Sequence, residues 1–247
     1  MNESFDIDAW TDELIGKLES AFGKRLKFVG LQGSRARGEA REGSDIDAVV
    51  VVEGLNADDL ATYRELVATM PHGDIACGFI SSPELLAAWP RHDVFNLVQD
   101  TRALFGSFDF MDTDFTAHDA LLSAKVGASE IYHAVSHELV FNESSLQAIV
   151  EACVKFAFFV IRALRYAHTG EYPPSRAAMR QLASEEERVF LDAYDDPQVG
   201  AAGAVVVDDK TGVLFADHGP AHPQAFEADE LAEKLLAWSQ GVLLAER

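Results

Sequence analysis

The chain has 247 residues, 48% of them hydrophobic, with 41 acidic side chains against 20 basic ones and a formal net charge of −21. That balance, with only seven lysines, argues against a nucleic-acid-binding surface, which needs a basic stripe. No apolar run approaches a membrane span, and the acidic start MNESFDIDAW lacks the basic-then-apolar order of a signal peptide. Cys77 and Cys153 make neither a disulfide framework nor a zinc spacing, and read as core thiols of a reducing cytoplasm. The length supplies a core for one or two domains. The acids are spread along the whole chain, which suits either a surface solvated in high salt or an acidic enzyme with a cationic acceptor.

Ala9 to Phe22 carries apolar residues at Trp10, Leu14, Ile15, Leu18 and Phe22, the stripe of an amphipathic helix, and Gly23 stops it. Leu26 to Leu31 reads as a short strand feeding the pair Gly33-Ser34, where a helix of one or two turns begins. A glycine lets backbone approach a phosphate closely, and Ser34 adds a hydroxyl donor beside free N–H groups at a helix start. The loop Glu42-Gly43-Ser44 returns the chain to Asp45 and Asp47, which open into the apolar run Ala48 to Val52. In a strand, alternate residues share a face, so Asp45 and Asp47 point together while Ile46 and Ala48 point the other way. Two adjacent carboxylates repel unless a cation lies between them, and oxygen-only ligands suit Mg²⁺ completed by substrate phosphates. The other Asp-x-Asp pairs, Asp6/Asp8 and Asp112/Asp114, lack both the Gly-Ser pair before them and the buried run after them.

Gly33, Ser34, Ser44, Asp45 and Asp47 together spell GS…(S)DxD, which resembles the nucleotidyltransferase superfamily typified by DNA polymerase β. The local wording GSRARG…SDID is most similar to the minimal and antibiotic-modifying branches of that superfamily. The resemblance implies an α+β fold: a polymerase β-like nucleotidyltransferase domain of mixed sheet and helices, then an α-helical bundle. It also implies Asp45 and Asp47 as ligands of two Mg²⁺ ions, ATP as the nucleotide, and a third carboxylate on the neighbouring strand. That third acid maps onto Asp74, expected to complete a metal site and to act as general base toward the attacking hydroxyl. Arg37 falls where kanamycin nucleotidyltransferase-like enzymes carry a phosphate-contacting arginine, whereas Arg35 reads as solvent-facing.

Further along, Asn56 can cap a helix through Met70, ended by Pro71 and Gly73, and Gly73 to Ser81 reads as a third strand starting near Asp74. Ser82-Pro83-Glu84 starts another short helix. Phe95 to Gly106 closes a catalytic domain of residues 1–106, by resemblance to antibiotic nucleotidyltransferases. Ser107 to Phe115 is acidic enough for a linker into a second domain of residues 107–247. There, helices are expected over Ala117 to Leu139, Glu143 to Ala167, Arg176 to Leu182 and Glu185 to Tyr194, with Ile149 to Tyr166 apolar nearly all round.

This half resembles the helical domain of streptomycin/spectinomycin adenylyltransferases in Arg162, Thr169-Gly170, Ser175-Arg176 and Leu191-Asp192-Ala193-Tyr194. The resemblance implies that Arg176 and Tyr194 help hold ATP, although the family has a lysine at Arg176 and one residue fewer after Gly170. Glu151 lies where related enzymes keep acids for a cationic acceptor. His133 and His137 have the i, i+4 spacing of a zinc pair but Ala134 stands where a metalloprotease needs Glu. Arg162 and His168 are faintly similar to the Arg…His pair of HEPN ribonuclease domains. Ala204 to Val207 and Val213 to Ala216 flank a turn at Asp208 to Gly212, a hairpin; a Pro/His/Gly loop follows, and Ala228 to Leu244 forms a closing amphipathic helix.

The sequence therefore leads us to expect a Mg²⁺-dependent transfer of a nucleoside monophosphate, AMP from ATP, to a hydroxyl of a small acceptor such as a cationic aminoglycoside. Two alternatives stay open: a protein-adenylylating, antitoxin-type enzyme, and a nucleotide-binding regulator without catalysis.

Overall fold

A computed structural model of the protein describes residues 5–41, 43–141, 146–196, 205–207, 214–216 and 228–245. They belong to two units, Met1–Phe115 and Thr116–Arg247.

In the first unit, Asp6 accepts from the Asp8 and Ala9 N–H groups at 3.1 Å and so starts helix α1, Ile7–Phe22. Gly23, at φ 54°, ends it in a conformation that a side chain would strain. Strand β1, Leu26–Leu31, pairs antiparallel with β2, Ile46–Val52, on one side and with β4, Arg102–Gly106, on the other. Strand β3, Ala76–Ser81, joins the far edge of β2 in parallel, giving the order β3-β2-β1-β4. A parallel return needs a crossover, and α3, Ala57–Ala68, supplies it. Its start is fixed by a reciprocal capping box between Asn56 and Asp59, and Arg25 also donates to Asp59.

Both sheet faces are covered, which is why β2 reads as an unbroken apolar run rather than an alternation. Ile46, Ala48, Val50 and Val52 pack with Trp10, Leu14, Leu18 and Phe22 of α1. Val49 and Val51 turn the other way, onto Phe28 and Leu86. Asp47 has the same parity and belongs to that second face, at the end where the strand begins. Leu86 lies on α4, Pro83–Ala88, which is followed by α5, Arg91–Gln99. Gly78 faces Ala48 at φ 126°, and a Cβ there would overlap the Ala48 carbonyl, so only glycine lets β3 lie this close.

Strand β3 begins at Ala76 rather than at Gly73 as expected. Gly73–Ile75 form a single 3₁₀ turn, entered through the left-handed backbone of His72 at φ 56°. Ser107 to Phe115, expected as a linker, falls with the first unit: Phe108 stacks on Phe28 at 4.0 Å and Phe115 meets Phe95 edge-on at 5.5 Å.

The second unit is built on two long helices, α6 (Ala117–Phe141) and α7 (Leu146–Thr169), packed along each other. Gly127 lets them approach closely, since a Cβ there would stand 2.7 Å from Val160 Cγ2. Short helices α8 (Arg176–Leu182) and α9 (Glu185–Asp195) follow, and α10 (Ala228–Leu244) packs on both α6 and α7. Arg162, only 1% exposed, donates from Nε to the Pro173 carbonyl at 2.8 Å and lies over the rings of Tyr172 and Phe158, 4.0 and 4.9 Å from their centroids. It is therefore a core residue of the bundle. Strands β5 (Val205–Val207) and β6 (Leu214–Ala216) form the expected antiparallel pair. The Asp208 to Gly212 turn and the Pro/His/Gly loop after it lie outside the described residues. No described helix is long and apolar enough to cross a membrane.

Candidate active site

The site grows from the turn between β1 and β2. As β1 ends, the Gln32 N–H donates to the Asp47 carbonyl at 2.8 Å, and the Gln32 side-chain amide reaches the Leu97 carbonyl at 2.9 Å. The turn is thus moored on the neighbouring strand and on α5. Gly33, at φ 67°, opens the short helix α2, Gly33–Ala36. A Cβ on Gly33 would overlap Oδ2 of Asp47, so the absence of a side chain is what lets this carboxylate lie against the turn. The Glu39 N–H then donates to the Ser34 carbonyl at 2.8 Å and the Arg37 N–H to the Gly33 carbonyl at 3.2 Å, folding the loop back. The structure therefore brings Gly33, Ser34 and Asp47 together.

Asp45 is exposed and immediately precedes β2, while Asp47 is half-buried in its second position. Ser44 accepts at its hydroxyl from the Arg41 N–H at 2.9 Å, so this side chain shapes the loop that delivers Asp45. Arg35 closes the same loop: Nε donates to the Asp45 carbonyl at 3.0 Å and Nη2 to the Ser44 carbonyl at 2.6 Å. Its guanidinium lies over the Phe5 ring, 4.4 Å from the centroid. Burial pulls the Arg35 pKa below its ordinary value, while the charges of Asp45 and Asp47 push it back up.

Arg37 has a different environment. Its side chain is 5% exposed, with Nε on Glu39 at 3.0 Å and Nη1 on Asp100 at 2.7 Å. This ion pair ties the Gly-Ser loop to the end of α5, where Asp100 caps the helix.

Asp74 is exposed on the 3₁₀ turn, before the first β2–β3 pair, which matches Ile46 with Ala76. Among the described residues, no three His, Cys, Asp or Glu side chains stand where they could hold one metal ion. The late start of β3 leaves Asp74 outside the sheet. The residue that does stand opposite Asp47 in the parallel register is Cys77, exposed on β3.

Residues 12–73 match a family model described as a nucleotidyltransferase domain. The first unit carries a nucleotidyltransferase domain. The match begins within α1, takes in β1, the Gly-Ser turn, both aspartates and α3, and stops one residue before Asp74. No curated protein matches the sequence significantly. Among solved structures, spectinomycin adenyltransferase AAD(9) from Enterococcus faecialis, with ATP and spectinomycin, aligns at TM-score 0.55 and 11% identity. That alignment covers 95% of this chain and 100% of the other. A toxin-antitoxin with AMP-PNP aligns at TM-score 0.30 and 16% identity, covering 53% of this chain and 95% of its own. The first likeness is one of fold, and agrees with a nucleotidyltransferase domain followed by helices.

In the second unit, Arg176 and Tyr194 come together. The Arg176 guanidinium lies 4.7 Å from the Tyr194 ring centroid and pairs with Asp195 at 2.9 Å. Asp195 also takes Arg180 at 2.6 Å, and Tyr194 packs on Phe158. Ser175 caps α8 by accepting from the Ala178 N–H, which fixes where Arg176 starts its helix. Glu151 is buried and accepts from Gln147 at 2.7 Å.

Around the nucleotidyltransferase domain's loop, the contribution of Arg35 escaped the sequence reading, which left it facing solvent. The local signal was present in the spacing: a long cationic side chain one residue after the Gly-Ser pair can reach back across a ten-residue loop to its far end.

Proposed function

We propose that the protein is a Mg²⁺-dependent nucleotidyltransferase that moves a nucleoside monophosphate, AMP from ATP, onto a hydroxyl of a small cationic acceptor. The observation that carries this reading is the contact of Asp47 with Gly33: the second carboxylate of the pair, near the start of β2, set directly against the Gly-Ser turn. The family match supports the reaction class, and the shared fold with a protein solved with ATP and spectinomycin supports the nucleotide and the kind of acceptor.

The donor set fits magnesium. Mg²⁺ is commonly held by one or two carboxylates plus substrate phosphates rather than by an all-protein cage, so Asp45 and Asp47 suffice as protein ligands. When bound, the two ions expected from the sequence supply charge neutralisation of the phosphate oxygens as the pyrophosphate leaves. The chain's own contribution is positioning. Gly33 allows the triphosphate to approach the backbone, Ser34 offers its hydroxyl, and the Gln32 and Arg37 anchors hold the turn rigid against β2. Within the second unit by itself, Arg176 and Tyr194 set a cation over a ring, a pairing that suits a nucleotide.

A second reading is nucleotide binding without transfer, in which Asp74, on its exposed turn ahead of β3, takes no part as general base. ATP labelled at the α-phosphate separates the two. Label moving to an aminocyclitol or aminoglycoside supports transfer to a small molecule, label on a protein supports the antitoxin-type reaction, and tight binding with no transfer supports the second reading.

A further inference from the structure

Two arginines stand in the Gly-Ser loop, and the structure gives them opposite circumstances. Arg37 is enclosed, with Glu39 and Asp100 both bound to its guanidinium. Two carboxylates already compensate its one charge, and withdrawing it would leave them buried beside each other. Arg35 makes no ion pair among the described residues. Its hydrogen bonds all go to backbone carbonyls, those of Ser44 and Asp45, through Nε and Nη2. Nη1 has no partner there, and one face of the guanidinium is shielded by Phe5.

That geometry fixes a cation, free of any direct ion pair among the described residues, beside the first of the two acids. A flexible arginine loses rotamer freedom when it grips an anion, but Arg35 has already been ordered by its two carbonyl bonds and by the ring beneath it. Its remaining N–H groups form part of a planar fork, the shape that matches phosphate oxygens. Phe5 in turn meets the His72 ring edge-on at 4.9 Å, so this seat also touches the turn that leads to β3. The first residues before α1 therefore brace the loop that delivers Asp45.

From these contacts we infer that Arg35 is the phosphate-binding cation of the loop, that Phe5 is its positioning residue, and that Arg37 is a structural tie. The inference rests on the nucleotidyl-transfer reading and names the side chain that selects the triphosphate in it. Without nucleotide, Arg35 offsets the repulsion between Asp45 and Asp47; with nucleotide, its free edge takes a phosphate oxygen.

The test measures binding of MgATP and of magnesium tripolyphosphate to the full chain by calorimetry, with melting temperature followed in parallel. Arg35→Ala should weaken both ligands about ten- to hundredfold with little change in melting temperature, the loss expected for charge-assisted hydrogen bonds. Arg35→Lys should restore part of the affinity, and Phe5→Leu should weaken binding by a smaller factor. Arg37→Lys should lower the melting temperature more than it lowers affinity. Unchanged binding in both Arg35 variants, with wild type binding well, overturns the assignment of Arg35 alone. A wild-type chain that binds neither ligand overturns this assignment and the transfer reading together. Should Arg35→Ala not fold, Arg35→Lys and Phe5→Leu decide by the same criterion.

Discussion

Asp47 Oδ2 occupies the space that a side chain at Gly33 would fill. The carboxylate and the turn are thus one object, and neither can be altered without moving the other. Gly33→Ala should cost about 1 kcal/mol for a positive-φ alanine. It should also displace Asp47 and weaken MgATP at least tenfold. Calorimetric unfolding and nucleotide titration on the same variant read both effects. Unaltered affinity would show that the turn is not the phosphate cradle.

The Arg37–Asp100 tie is nearly inaccessible, with side chains 5% and 8% exposed. Removing one partner of a buried pair typically costs about 3–5 kcal/mol, because the other charge is left uncompensated. Arg37→Ala and Asp100→Ala should each destabilise the chain on that scale, and the double variant should lose much less than their sum. Chemical denaturation of the three variants provides the cycle.

Much of this was legible in the sequence. Strand β1 falls on Leu26–Leu31 as its apolar run indicates, α3 starts at the Asn56 cap, and the Gly-Ser and Asp-x-Asp elements meet as their spacing implies. These features rest on local signals: periodicity, capping residues and a glycine at positive φ. The start of β3 fell three residues late because Gly73–Ile75 can equally begin a strand or form one 3₁₀ turn, and the sequence pattern does not separate the two. In a strand a small slip also changes which face a residue takes. The buried tie made by Arg37 was not legible for a different reason. Asp100, which claims Arg37, lies 63 residues away, and no spacing rule reaches that far.

The β2–β3 register offers a place for a further carboxylate. Cys77 stands opposite Asp47 in a parallel pair, where matched residues share a face. Cys77→Asp should therefore add a third carboxylate to the pair and tighten Mn²⁺ binding several-fold, read by paramagnetic relaxation of water. No change in Mn²⁺ affinity would place the Cys77 side chain elsewhere.

The two thiols should behave differently. Cys77 is exposed and should take one equivalent of a thiol reagent in the native protein; Cys153 should react only after unfolding. Burial pushes the Cys153 thiol up from 9.0 to about 12, and burial, with a smaller effect from Cys77, pushes the Tyr63 phenol up from 10.0 to about 12. Both groups are held neutral in the folded chain. Their contribution is fully present below the unfolded values and is lost as pH rises through this range, because the unfolded chain ionises first. Melting temperature should fall from about pH 9 upward, and Cys153→Ser or Tyr63→Phe should flatten that fall.

The central claim is that the acid pair at the head of β2 serves nucleotidyl transfer. Pyrophosphate release from MgATP in the presence of an aminocyclitol acceptor tests it most directly, comparing wild type with Asp45→Asn and Asp47→Asn. Wild type should release pyrophosphate in step with acceptor modification, and each variant should lose the reaction by orders of magnitude while keeping the wild-type melting profile. Full activity in a folded Asp47→Asn variant would contradict the account.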